Sequence, residues 1–494
     1  MSTPVIWIFL PFFIAVLLFF LRRWYRTTVL VGSLTMILLA VTAWIIPINQ
    51  FIRLGPIVFK IEEQFNILGR QLTLGVNDRN LVVMIFALTA FWFSAAYKAR
   101  AGRLFIPVGM AMVAIWIAAL AVEPFLYAAL LLELAVLLSI LLLTPTGFPP
   151  ARGAIRYLIL QTFGMPFILL TGWLLAGVES SPGDLDLVIQ ASILLGLGFV
   201  FLLGIFPFHT WIPMLSEETH PYAAGFIFFF LPLMVILFGL SFIDQFAWLR
   251  ESDAIYELLR VAGVLMMVIG GAWAALQRHL GRIMGFAVMA STGSLLLSIS
   301  EMPSLDLFFA MQIPRALGFA LWALGLSMLR NKMVLEEKQG AQDETLLAPT
   351  TSRRIETYPL LRYINIYGIG RDMPVATAAI TLGTFSLAGY PLLASFPLYQ
   401  TIWYHLSLET SGYAVLALSG CLLLGIAGLR SASVLVTGDH ETPWRISENW
   451  DTVSLFIIGM FLNILLGLFP QWVLPIAAKI SITFTQLAAQ ASMP

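Results

Sequence analysis

The feature that most constrains this chain is a succession of apolar runs, each long enough to cross hydrocarbon as a helix of about 20 residues. On that criterion about fourteen spans are expected, near 4–21, 28–47, 80–97, 104–122, 125–144, 155–177, 187–206, 221–243, 259–276, 283–299, 304–329, 374–396, 412–432 and 452–470. Composition agrees. The 494 residues are 60% hydrophobic and 11% charged, whereas a soluble chain needs roughly a quarter charged residues to cover its surface. The expected fold class is therefore an all-α polytopic membrane protein. A formal net charge of +0 leaves no basic field for nucleic acid. Cys421 is the single cysteine, which excludes an internal disulfide framework and an all-cysteine metal or iron–sulfur site. The first apolar run lacks a basic n-region and a small-residue cleavage site, and reads as a retained span.

The loops between runs alternate in charge. Arg22, Arg23 and Arg26 follow the first run; Lys98, Arg100 and Arg103 the third; Arg152 and Arg156 the fifth; Arg278 and Arg282 the ninth. Loops of the other parity carry Glu123, then Glu179, Asp184 and Asp186, then Glu301 and Asp306, then Glu409. The positive-inside rule puts the basic loops in the cytoplasm and both termini on the outer side. Glu217 and Glu218 break the pattern, but acidic residues weigh little in that rule. Residues 51–79 alternate polar and apolar and read as an external β-hairpin. Residues 331–372 read as a polar cytoplasmic loop with EEK, DE and RR clusters. The tail after Pro470 reads as a helix on the outer surface.

The seventh run contains GIFPFHTWIP at 204–213. Two prolines there free backbone groups that hydrocarbon cannot satisfy, so a broken helix inside a bundle is expected. The twelfth run contains LAGYPLLASFPLYQ at 387–400, a second break five spans later. A shift by an odd number of spans inverts direction, so spans 4–8 and 9–13 form a pair of inverted five-helix repeats, with helices 7 and 12 broken. The chain then divides into 1–100 (spans 1–3 and the hairpin), 101–245 (first repeat), 246–435 (second repeat with the 331–372 loop) and 436–494 (last span and surface helix).

Charge inside a span is expensive and marks functional candidates. Glu133 lies mid-span in LLLELAVLL, where it fits either a proton relay or a carboxylic acid hydrogen-bonded across helices. Arg315 follows Pro314 in span eleven. Arg156 lies at a span end, where snorkelling to the interface accounts for it. His209 stands in the first break, suited to shuttling a proton or to capping a helix end. Tyr399 and His405 lie on the second broken helix. No phosphate-binding loop, paired metal ligands or Ser/His/Asp set is present, so no catalytic, cofactor or metal residues are assigned and any redox cofactor is expected in partner chains.

Several of these segments together resemble one family, the antiporter-like membrane subunits of respiratory complex I, membrane-bound hydrogenases and Mrp-type antiporters. FPFHTWIPMLSEETHP resembles its PxHxWLPDAxxxAPT segment. FLYAALLLELAVLLS resembles its span-five glutamate motif, and RHLGRIMGFAVMASTGSLLLS its DxKRxxAYSSxxHxGxxxL. TFSLAGYPLLASFPLYQ resembles its LxxxGxPxxxGFxxK/E break. The spacing is most similar to the complex I subunit type numbered four. The resemblance implies a non-redox membrane-arm subunit of an NADH- or ferredoxin-dependent quinone oxidoreductase, or a hydrogenase-type translocase, in an inner membrane, beside other membrane-arm subunits in the lipid bilayer. It also implies a path of titratable residues, and here the chain departs. The family's span-seven lysine is replaced by Leu202, and its span-eight lysine or histidine by Leu233 or Ile227. Ser291 replaces the span-ten histidine, Gly281 the lysine of DxKR, and Tyr399 the span-twelve lysine or glutamate. Glu133 is retained, and Arg315 falls where some members hold a span-eleven lysine, but an arginine does not release its proton in normal cycling. The expectation is a subunit that contributes to or supports proton translocation with an incomplete path of its own. An Mrp-type cation/proton antiporter and a structural assembly subunit without transport are the alternatives.

Overall fold

A computed structural model describes residues 2–54, 57–67, 69–144, 152–180, 185–300, 305–345, 360–438 and 443–491. A π-helical turn, Val5–Phe9, leads into α1 (Leu10–Phe20), followed by α2 (Tyr25–Ile45), α3 (Arg79–Ala99), α4 (Phe105–Ala121), α5 (Ala128–Leu143) and α6 (Arg152–Ser180). The seventh run is split into α7 (Leu185–Leu203) and α8 (Trp211–Glu218). Next come α9 (Pro221–Gln245), the short α10 (Ala247–Arg250), α11 (Asp253–Leu276), α12 (Leu280–Ser300), α13 (Asp306–Ala310) and α14 (Gln312–Thr345). The twelfth run is split into α15 (Pro374–Leu387) and α16 (Phe396–Glu409). The chain closes with α17 (Ser411–Val436), α18 (Trp450–Leu468), α19 (Leu474–Ser481) and α20 (Thr485–Ala491). Among the described residues, 11 helical stretches are long and apolar enough to cross a membrane. Val5–Phe20, Phe105–Ala121 and Pro374–Leu387 are shorter apolar helices.

Burial sorts these helices by role. α12 is fully buried and α9 nearly so. They form the centre, with Trp92, Phe93, Phe105, Trp116, Tyr222, Phe226 and Phe230 interlocked around α9. By contrast α2, α5, α6, α17 and α18 expose large apolar side chains such as Leu30, Trp44, Leu130, Trp173, Val415 and Phe461. Water would not tolerate that much apolar surface, whereas hydrocarbon is its natural solvent.

Two expectations need correction. The segment 51–79 holds two hairpins, β1 (Phe51–Leu54) with β2 (Ile57–Lys60) and β3 (Gln64–Ile67) with β4 (Arg70–Thr73). β4 also pairs with β5 (Val122–Glu123) from the α4–α5 connection, so the second hairpin finds an edge partner the alternation could not reveal. The segment 331–372 is not loop throughout. α14 continues to Thr345, because NKMVLEEKQ is rich in strong helix formers. The RR cluster at 353–354 lies outside the described residues. The returning chain docks on the α11–α12 turn, where Leu280 N–H bonds Leu361 O and Tyr363 N–H bonds Arg278 O, both at 3.0 Å.

Both ends of the chain sit with the hairpins. Thr3 Oγ1 donates to Leu74 O at 2.9 Å. Thr483 Oγ1 donates to Asn77 O, Asn80 Nδ2 to Lys479 O, and Ser481 Oγ to Asp306. Asp244, at the end of α9, accepts the Gln486 and Leu487 N–H groups at 2.9 Å. The C-terminal helices therefore strap one face of the molecule, and the arginine-bearing turns occupy the other.

Candidate ion path

Both broken helices end in the same way. At the first break, Gly204 N–H bonds Phe201 O and Ile205 N–H bonds Val200 O. At the second, Gly389 N–H bonds Ser386 O and Tyr390 N–H bonds Phe385 O. Each is a Schellman turn with glycine in the left-handed region, Gly204 at φ +63 and Gly389 at φ +69. The same offset that separates Gly204 from Gly389 separates Trp211 from Phe396, the first residues of α8 and α16. The half-helices nevertheless point to opposite faces. α8 ends where Glu217 meets Arg282 at the start of α12 (2.5 Å), whereas α16 ends where Glu409 approaches Arg260 near the start of α11 (3.9 Å). Those are opposite ends of the α11–α12 hairpin, as an inverted repeat requires.

A Schellman turn leaves the carbonyl two residues before its glycine without a backbone donor, and in hydrocarbon it must be satisfied by something else. At the first break that carbonyl belongs to Leu202, and Gln161 Nε2 of α6 donates to it at 2.9 Å. At the second it belongs to Leu387, and the Tyr399 hydroxyl of α16 donates to it at 2.9 Å. Asn463 of α18 ties the second break further, accepting Ala394 N–H at 3.2 Å and donating to Ser386 Oγ at 3.0 Å. Gln161 and Asn463 are fully buried and were not expected from the sequence. The available signal was a lone amide inside an apolar run, which needs a polar partner in the bundle.

The expected site residues fall into separate places. Glu133 lies between α5 and α6, where Thr162 Oγ1 donates to its Oε1 at 2.5 Å and Oε2 is buried without a hydrogen-bond partner. Two turns along the same helix pair, Ser139 and Tyr157 share a hydrogen bond at 3.0 Å, and the Tyr157 ring packs on Trp211 of α8. Arg156 is exposed and reaches Met214 Sδ at 3.1 Å, as a snorkelling residue would. No ion pair joins Glu133 to Arg156 or Arg315 among the described residues. His209 is 8% exposed, stacked against Phe206, and its Nδ1 has no hydrogen-bond partner. It does not cap the helix beside it. His405 packs edge-on against Tyr404.

Arg315 is 2% exposed at the molecular centre. Pro232 interrupts α9 and lacks the N–H that would bond Phe228 O. The guanidinium fills that gap, with Nη2 donating to Phe228 O at 3.2 Å and Nη1 to Phe229 O at 3.1 Å. Nε donates to Ser291 Oγ at 2.8 Å, and the plane lies near the Phe229 and Phe319 rings. Ser294 Oγ then donates to Ser291 O at 2.7 Å, and the Tyr399 hydroxyl stands 3.2 Å from Ser294 Oγ. Arg315, Ser291, Ser294 and Tyr399 thus form one hydrogen-bonded cluster that joins α14, α12 and α16. It contains no carboxylate. Leu202 of α7 and Leu233 and Ile227 of α9 are buried in the hydrophobic core.

Comparison with known proteins agrees with this architecture. A family model described as NADH:quinone oxidoreductase/Mrp antiporter, transmembrane, matches residues 174–424. NADH-quinone oxidoreductase subunit N of Rhodococcus opacus (strain B4) is 25% identical over 352 residues, covering 67% of this chain and 60% of that protein. The membrane-bound sulfane sulfur reductase, an archaeal respiratory membrane complex, contains a chain with a TM-score of 0.77 at 14% identity, covering 100% of this chain and 99% of that one. Respiratory complex I from Thermus thermophilus contains one with a TM-score of 0.70 at 18% identity, covering 98% of this chain and 100% of that one. At such identities the two structures establish a shared fold. Both broken helices lie within the matched region, which takes in half of the sequence, and the chain belongs to the NADH:quinone oxidoreductase/Mrp antiporter transmembrane family.

Proposed function

We propose that this chain is a membrane-arm subunit of a complex I-like, proton-translocating oxidoreductase, and that it supports translocation without a complete proton path of its own. It crosses an energy-transducing inner membrane about fourteen times, with the hairpins and both termini on the outer side and the arginine turns in the cytoplasm. Ten of these spans form the two five-helix repeats at 101–245 and 246–435, with three spans before them in 1–100 and one after in 436–494. Electrons move in partner subunits, and this chain binds no redox cofactor.

The observation that carries this reading is the cluster around Arg315. A fixed guanidinium opposes a passing cation by about 4 kcal/mol at 4 Å for an effective dielectric of 20. Its donors are occupied by backbone carbonyls and a serine, and Tyr399 is held on a helix-end carbonyl. These groups fasten helices together and leave no acid–base pair to relay a proton. An Mrp-type antiporter would require an ion path inside this chain, so the same cluster counts against it.

Purification of the tagged chain from its native membrane in mild detergent tests the assembly. Quinone-reducing or hydrogenase-like partners are expected to copurify in fixed ratio. Recovery of the chain alone, or with cation/proton antiporter subunits, would overturn the proposal.

A further inference from the structure

On the membrane face that carries the arginine turns, a cavity of ≈ 470 Å³ opens between the ends of α3, α4 and α5. Arg22, Arg100, Arg103 and Arg330 line it, and no carboxylate does among the described residues. Arg100 and Arg103 also border the neighbouring cavity, where Lys98 is paired with Asp451 at 2.7 Å. Arg100 is the C-cap of α3 and takes the left-handed conformation at φ +53. Gly102 follows at φ +98. This turn brings Arg100 and Arg103 to the same cavity. His220 and Thr144 also line it, beside an apolar wall formed by Phe105 of α4 and the last turn of α5, where Leu141 is 47% exposed. Arg22, Arg100 and Arg103 bring positive charge beside exposed leucine, and one class of molecule matches both features at once.

We propose that this cavity binds the headgroup of an anionic glycerophospholipid, with its phosphate on the arginines and its acyl chains along α5. Guanidinium groups match phosphate oxygens by paired hydrogen bonds, and basic pockets between spanning helices at the cytoplasmic face suit anionic headgroups. A soluble phosphate would use the arginines but leave the Leu141 wall unmatched. A zwitterionic lipid would cover the wall but carry its own cation into a cavity that already holds four. The site stands whether or not the chain moves protons.

The test is thermal unfolding of the purified full-length chain, delipidated in detergent, with phosphatidylglycerol, phosphatidylcholine or inorganic phosphate added. Phosphatidylglycerol is expected to raise Tm and to bind about tenfold or more tightly than phosphatidylcholine, with inorganic phosphate leaving Tm unchanged. The R100Q/R103Q double variant replaces two exposed side chains. It is expected to abolish the preference for phosphatidylglycerol, whatever its lipid-free Tm, while K479Q on the opposite face retains it. Equal effects of the two lipids, a preference that survives R100Q/R103Q, or a full effect of inorganic phosphate would each overturn the assignment.

Discussion

The two broken helices have the same backbone and different chemistry. Both stop in a Schellman turn on a left-handed glycine, and both leave one carbonyl to be satisfied from outside the turn. At Leu202 the donor is Gln161, borrowed from a neighbouring helix. At Leu387 the donor is Tyr399, from the second half of the broken helix itself. Tyr399 stands where the family resemblance places a lysine or glutamate, and its equivalent in α8 by the common offset is Met214. The break geometry is thus retained in both repeats while neither supplies a lysine or carboxylate at that place. Breaks of this kind are built to hold a helix end inside hydrocarbon, and the ion chemistry is a separate addition.

The largest expected effect lies at the centre that both repeats share. Arg315→Met should destabilise the chain by about 3 kcal/mol, because it buries an apolar side chain beside the Phe228 carbonyl that Pro232 leaves without a helical donor. Pro232→Ala restores the missing N–H, so the cost of Arg315→Met should fall by at least ~1 kcal/mol in that background. Additive costs in a double-mutant cycle would remove the assigned role of Arg315 in satisfying the carbonyl that Pro232 leaves open. Next come the glycines. An added Cβ at Gly389 would lie 2.8 Å from Tyr399 Cγ, and at Gly204 3.0 Å from Trp211 Nε1. With φ positive at both, alanine should cost about 1–3 kcal/mol at either site, the more at Gly389. Equal Tm values for the wild type and both variants would show that the turns are not held as described.

The donors should separate the breaks. Gln161→Leu strands the Leu202 carbonyl completely and should cost about 1–3 kcal/mol. Tyr399→Phe should cost less, about 1 kcal/mol, because Asn463 still ties the second break. The reverse order in thermal unfolding would mean that Asn463 does not support it.

The smallest effect is on pH dependence. Just after the first half-helix, His220 caps α9, its Nδ1 accepting Tyr222 N–H at 3.3 Å. Burial, reinforced by the Arg330 charge, pushes the His220 imidazole down to about 3. The unfolded chain takes up this proton near pH ~6.5. The stability contributed by neutral His220 is therefore complete above that pH and is lost as pH falls toward 3. The N-cap position of α17, after the half-helix α16, holds Thr410, whose side chain makes no capping bond and does not titrate in this range. His220→Asn keeps a capping acceptor and should flatten the fall in Tm between pH 6.5 and 5 by a few degrees; an unchanged slope would contradict it.

Much of this architecture is legible in the sequence, for physical reasons. Spans are visible because hydrocarbon thickness sets a minimum apolar length. The breaks at 204–213 and 387–400 are visible because glycine and proline leave a local mark. Pairings across the bundle are not visible. Arg315 stands out as a charge in an apolar run, but its partner is the gap left by Pro232 on another helix. Glu217 is an exception on a basic face in the sequence, and in the fold it pairs with Arg282. The second hairpin needed β5 from a distant connection. Glu448, accepting the Val375 and Ala376 N–H groups at the start of α15, belongs to the same class of long-range caps.

Glu133 is the one carboxylate left mid-span on the expected path, with one oxygen on Thr162 and the other unpartnered. The most direct measurement is the proton-to-electron ratio of the assembled complex in proteoliposomes, wild type against Glu133→Gln. Glutamine preserves the acceptor for Thr162 and removes the titration. With assembly and electron transfer intact, an unchanged ratio is the expected result for a subunit without its own complete path. A lower ratio at normal electron flux would show that protons pass through this chain.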